Sequence, residues 1–167
     1  MAVNDYRISK LRDYLFEVIN TLTSNSNYQI SADFLGNVGD YSLDKIPTDT
    51  SIEKWVIGIE KKRDVYSFRS RKDYGVKTVD KLKNIGFFED FENIIKSNNE
   101  EGVLPDIKGI ESIECSNCGT LLNVDGTRAT FDIQIQITYR DEEGEVMSLW
   151  KRLLQRLILL QTMKNTL

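Results

Sequence analysis

Two cysteines, Cys115 and Cys118, stand three residues apart in the run Cys115-Ser116-Asn117-Cys118-Gly119. That is the spacing of a zinc knuckle, and one such pair supplies half of a tetrahedral site. The chain holds two cysteines in all and no histidine, so a complete site would need ligands shared between subunits. A redox pair of this spacing normally opens a helix, whereas this one falls in a predicted β-turn. The cysteines are therefore read as structural. The lack of histidine also removes Ser-His and Cys-His nucleophile activation and the commonest proton shuttle at neutral pH. Carboxylate, lysine and tyrosine chemistry remain. Gly36-Asn37-Val38-Gly39 is too short for a phosphate loop and no predicted helix follows it, so it reads as a turn. Glu89, Asp90 and Glu92 lie between apolar residues of a predicted helix, where they read as solvated surface, and Asp141, Glu142, Glu143 and Glu145 read the same way. No catalytic, cofactor-binding or metal-binding set is assembled, and a non-enzymatic protein is expected.

Two groups of residues suit contact with another molecule instead. Lys61, Lys62, Arg63, Arg69, Arg71 and Lys72 gather along one predicted strand. They read as a charged edge that prevents uncontrolled strand pairing, as a salt-bridged subunit interface, or as a basic lining facing DNA. Arg63, Arg69, Arg71 and Lys72 are the interface candidates among them. The second group is a stripe within Ser148 to Met163. Leu149, Trp150, Leu153, Leu154, Leu157, Ile158 and Leu160 are apolar, and Lys151, Arg152, Gln155 and Arg156 lie opposite. The sheet already has its helices, so a partner surface is favoured over packing on the chain's own core. Leu149, Trp150, Leu153, Leu154 and Leu157 are its interface candidates.

Composition narrows the classes further. The 167 residues are 40% hydrophobic and 29% charged, the balance of a globular protein. A net charge of -4 argues against a general nucleic-acid binder, which needs a basic surface, but leaves room for a local basic patch. No segment has the roughly eighteen apolar residues needed to cross a bilayer. Met1 to Lys10 is polar and has no apolar signal core. The expectation is a protein made in the cytoplasm, with its cysteines reduced.

The elements that must position these groups follow from periodicity. Tyr6 to Thr23 has apolar residues at helical spacing (Ile8, Leu11, Leu15, Val18, Ile19, Leu22), with Asn4 or Asp5 as its cap. Short strands are predicted at Tyr28 to Leu35, at Tyr41 to Ile46 and around Trp55 to Ile59, and a better one at Asp64 to Arg71. Val76 to Ile85 and Phe87 to Ser97 read as two helices interrupted by Gly86. Ile107 to Glu114 alternates weakly. Phe131 to Arg140 is the clearest strand: Ala129, Phe131, Ile133, Ile135, Ile137 and Tyr139 face one way, and Thr130, Asp132, Gln134, Gln136, Thr138 and Arg140 the other. Asp125-Gly126 before it signals a hairpin. The prediction is an α+β fold: a mostly antiparallel sheet covered on one face by helices, with an extra C-terminal helix. Residues 1–141 form the domain, and 142–167 a helical extension.

Several segments carry a resemblance. Phe68-Arg69-Ser70-Arg71-Lys72-Asp73-Tyr74-Gly75, Asn84-Ile85-Gly86-Phe87-Phe88-Glu89-Asp90-Phe91, Gly102-Val103-Leu104-Pro105, Ile110 to Ile113, Asn123 to Thr127 and Phe131 to Tyr139 resemble the bacteriophage minor capsid protein family of Gram-positive phages and prophages. The resemblance spans roughly residues 5 to 140 and rests on turn and packing residues. It implies a tail-terminator subunit in the virion, at the head-tail junction. Such subunits form a hexameric ring that caps the tail tube, stops its growth and meets the head-tail connector. In contractile tails the ring also meets the sheath, and DNA would pass through its lumen. The family carries no catalytic residues. Ser148 to Leu167 lies beyond the family pattern. Two alternatives stand beside this reading: a head-completion or connector protein on the portal side, and a small nucleic-acid- or metal-binding accessory protein.

Overall fold

A computed structural model describes residues 6–23, 28–32, 35–36, 38–55, 59–74 and 78–141, the side chains of 78–81 and 118 excepted. Its first element is helix α1 (Arg7–Leu22), which buries Leu11, Leu15, Val18 and Ile19 along one stripe with Tyr14 beside them. Tyr6 occupies the N-cap position without a side-chain bond, and the Thr23 amide closes the helix on the Ile19 carbonyl. The caps expected from sequence, Asn4 and Asp5, fall outside the described residues.

Six strands follow, with one helix among them: β1 (Ile30–Ser31), β2 (Tyr41–Ile46), β3 (Ser51–Lys54), β4 (Glu60–Asp73), α2 (Thr78–Glu101), β5 (Ile110–Asp125) and β6 (Arg128–Asp141). They form one sheet in the order β1-β2-β4-β6-β5, with β3 also paired to β4. Every pairing is antiparallel except β1 with β2. β2 pairs with Ser70 back to Val65 and β3 with Lys62 back to Glu60, so the two are one interrupted strand along a single edge of β4. Pro47, which has no N–H to give the ladder, stands at the interruption. The architecture is the α+β fold predicted from sequence.

Period-two alternation assigns the faces. Tyr41 and Leu43 of β2, Tyr66 and Phe68 of β4, Ile113 of β5, and Ile133, Ile135 and Ile137 of β6 are buried on one side. Both helices pack there. Phe91 of α2 stacks on Phe68 at 5.8 Å, Phe88 meets Phe131 at 4.9 Å, and Leu11, Leu15 and Ile19 of α1 complete the core. Burying a large apolar side chain contributes roughly 1.5–3 kcal/mol, so this face dominates the stability of the domain.

Several boundaries differ from the sequence reading. Of the strand expected over Tyr28 to Leu35, the described residues form Ile30–Ser31, while Tyr28 turns into the core and its hydroxyl donates to the Phe16 carbonyl. A strand lies at Ser51–Lys54, and most of the one expected over Trp55 to Ile59 falls outside the described residues. The two helices expected around Gly86 are one continuous α2: Phe88, Phe91 and Ile95 anchor it, and their burial outweighs the roughly 1 kcal/mol cost of a helical glycine. The weak strand at Ile107 to Glu114 extends to Asp125, so Cys115 and Cys118 lie inside β5 and not in a turn. The predicted turn at Asp125-Gly126 is present, with Gly126 at φ +59°. The helix expected at Ser148 to Met163 lies outside the described residues.

Candidate functional site

The side of the sheet away from α1 and α2 is the candidate surface. Lys61, Arg63, Val65, Ser67, Arg69 and Arg71 of β4 lie opposite Arg140, Thr138, Gln136, Gln134, Asp132 and Thr130 of β6. Among the described residues no helix covers it. Its polar side chains still hold one another closely. Ser67 donates to Asp132, which is almost fully buried, and Arg69 pairs with Asp44 of β2. At the other end Glu111 accepts from both Lys61, at 2.9 Å, and Arg140. The Lys61 ammonium, helped by the Arg140 guanidinium, holds the Glu111 carboxyl below its usual range. Arg140 also lies 6.0 Å from the Trp55 ring.

The structure divides the basic cluster. Alternation puts Lys61, Arg63, Arg69 and Arg71 on the open side, and Lys62 and Lys72 on the helix side. Lys62 binds Asp141 at 2.6 Å and Glu60 at 3.4 Å, and the Asp141 bond raises its pKa. The Lys72 ammonium lies 3.8 Å over the Phe87 ring and 3.0 Å from the Tyr41 hydroxyl. Burial there pulls its pKa down to about 8. Lys72 is thus set apart from the other three interface candidates on β4. Of those, Arg69 has its carboxylate, and Arg71 donates to the Gly36 carbonyl at 2.7 Å. Arg63 is half-buried beside Thr138 with no side-chain partner among the described residues, and the Nε atoms of Arg63 and Arg69 are buried and unsatisfied. An unmet guanidinium donor in a half-buried position costs free energy until an acceptor arrives. The open face therefore offers a rigid polar surface with charges mostly matched internally and cationic donors left over at Arg63.

The remaining candidates disperse. Leu149, Trp150, Leu153, Leu154 and Leu157 lie outside the described residues. Cys115 lies on the helix side opposite Ile135, beside a cleft of about 200 Å³ that Glu92, Lys96 and Asn99 also line. Glu89, Asp90 and Glu92 are exposed along α2, as read from sequence. Among the described residues no three or more metal-ligating side chains converge, and no helix is long and apolar enough to cross a membrane.

Sequence reasoning missed one buried group. Asp64 is fully buried on the helix side of β4. Arg7 of α1 reaches its Oδ2 at 3.4 Å, and the Tyr139 hydroxyl donates to the same oxygen at 3.3 Å. The Lys45 ammonium lies 2.7 Å from Oδ1 but off the hydrogen-bond direction, so that contact is ionic. Arg7 also covers the Tyr139 ring at 4.5 Å. This node ties α1 to β2, β4 and β6. The signal available in the sequence was an aspartate at an inward position of a strand, where an unpaired carboxylate is not tolerated.

The chain matches no protein-family model, and no curated protein is significantly similar to it.

Proposed function

We propose that this chain is a structural subunit that works by associating with copies of itself and with other proteins, and specifically a phage tail-terminator subunit. In this reading it forms a ring at the head-tail junction of a virion. The ring caps the tail tube, meets the sheath where the tail contracts, and joins the head-tail connector. The carrying observation is the open sheet face, broad and rigid, with internally matched charge and an unsatisfied arginine at Arg63. Such a face, with donors left over at Arg63, gains from a protein partner that brings acceptors.

The resemblance adds the particular role. The residues that carry it do structural work here. Phe68 and Phe91 stack in the core, Asn84 caps the end of β4 through the Asp73 carbonyl, and Gly102 and Gly126 have positive φ. Internal pairing of Arg69, Lys61 and Arg140 leaves less free positive charge for DNA in a ring lumen than the sequence suggests. A protein neighbour is therefore the preferred occupant of this face. The alternative is a head-completion protein on the portal side, and labelling in intact particles separates the two. A terminator label stays with tails after heads detach, and a connector label stays with heads. Negative-stain images of the purified chain test the ring itself. Rings of uniform size are expected, and a strict monomer that is also absent from virions would overturn the reading.

A further inference from the structure

Exposed apolar side chains gather at one end of the domain. Leu82 and Ile85 of α2, and Leu121, Leu122 and Val124 of β5, are 43% to 60% exposed. They are neighbours through the core. Ile85 lies one turn before Phe88, and Phe88 packs on Phe131. Leu121 is the cross-strand partner of Phe131, and Val124 of Ala129, both on the helix side of the sheet. Leu122 is the extra residue of the bulge between Leu121 and Asn123. Asn84 binds the Asp73 carbonyl at 3.0 Å, and Asp73 pairs with Arg128 beside the hairpin turn. The start of α2 and the end of the β5-β6 hairpin thus bring these exposed apolar side chains to one end of the sheet, and such a gathering often serves as an interaction site.

We propose that this area is the receptor for the apolar stripe Leu149, Trp150, Leu153, Leu154 and Leu157 of a second copy, so that copies are joined by an exchanged C-terminal arm. The proposal rests on the reading of the chain as a self-assembling subunit, and it names the contact that assembly uses. Chain length argues for a second copy. Strand β6 ends at Asp141, ten residues from Phe131, or about 33 Å along the strand. The segment from Asp141 to Leu149 spans at most about 28 Å when fully extended. The start of the stripe therefore cannot meet the area on its own chain, and at best its last turn can. A stripe from a neighbour has no such limit. The match in chemistry is direct: five aliphatic side chains on one side, and leucines with a tryptophan on the other. The edge of β5 is a poorer means of joining copies, because four register irregularities break its line of backbone donors and acceptors.

Complementation between two full-length variants tests this. One carries Leu82→Asp and Leu121→Asp, which spoil the receptor. The other carries Leu153→Asp and Leu157→Asp, which spoil the arm. Circular dichroism and cooperative melting establish that each is folded. Mass measurement in solution then reads assembly. Each variant alone is expected to lose association by roughly a hundredfold or more. An equimolar mixture is expected to give one-to-one pairs, since one variant keeps a sound arm and the other a sound receptor. If either variant alone assembles like the parent, the exchanged arm is wrong while the self-assembling reading survives. Failure of the mixture to pair overturns it as well and points to a stripe docked on its own chain or to contact between two receptor areas. A parent chain that is itself monomeric sinks both readings.

Discussion

Replacing Asp64 by asparagine keeps the shape of the side chain and removes its charge, so it isolates the electrostatic share of the node that holds α1 to the sheet. The carboxylate is fully buried and receives Arg7, Lys45 and the Tyr139 hydroxyl. A hydrogen bond to a charged group contributes roughly 1.5–3 kcal/mol, and removing one partner of a buried pair costs about 3–5 kcal/mol. The two cations keep 47% and 45% of their side-chain surface in water, so they rehydrate when the carboxylate is neutralised. That places the expected loss at the low end, about 3 kcal/mol. For a domain of this size the melting temperature should fall by roughly 6–12 °C. Urea denaturation followed by circular dichroism measures the loss directly, with the slope of the transition unchanged if only the folded state is affected. Arg7→Ala and Lys45→Ala should each cost about 1 kcal/mol, and the Arg7→Ala effect should largely vanish in the Asp64→Asn background. An Asp64→Asn chain within about 0.5 kcal/mol of the parent would refute the node as a tie between helix and sheet.

Substitutions at three further residues test the same structure. Lys72 is held near pKa 8 by burial, below its unfolded value, so the unfolded chain binds the extra proton between about pH 8 and 10; stability should rise with pH across that window, and Lys72→Met should abolish the rise in denaturation curves taken at both ends. The same substitution should stabilise the chain at pH 7 by about 1–2 kcal/mol, since the cation-ring attraction of Phe87 and Tyr41 offsets part of the desolvation cost. Gly119→Ala should cost roughly 2–4 kcal/mol, read by urea denaturation, because φ is +74° and the new methyl would sit 2.7 Å from the Phe88 ring. Arg63→Glu, on the open face and without a side-chain partner among the described residues, should leave the melting temperature within a few degrees but weaken association in sedimentation experiments.

The sheet is legible in the sequence where burial is one-sided and strict. Phe131 to Arg140 reads as a strand because each inward position is apolar and each outward one polar, and β6 has that pattern. The pairing of β4 with β6 makes the open face, so its uncharged polar row at Gln134, Gln136 and Thr138 is visible without the fold. Tertiary burial overrides the local signals elsewhere. Gly86 reads as a break, but the phenylalanines around it hold α2 together. The basic residues of β4 look like one cluster because sequence proximity hides alternation; Lys72 and Arg71 are adjacent yet face opposite sides. The carboxylates that neutralise the cluster, Asp44 and Glu111, lie far off in sequence and arrive only by strand pairing. The apolar receptor area is hidden for the same reason, since α2 and β5 meet only in the fold.

Sedimentation equilibrium of the purified full-length chain addresses the central reading most directly. A closed assembly at a fixed multiple of the 19.3 kDa chain is expected, six copies if the ring is the one the resemblance implies, with a single mass persisting across a broad concentration range. A chain that sediments as a monomer throughout that range would contradict the account.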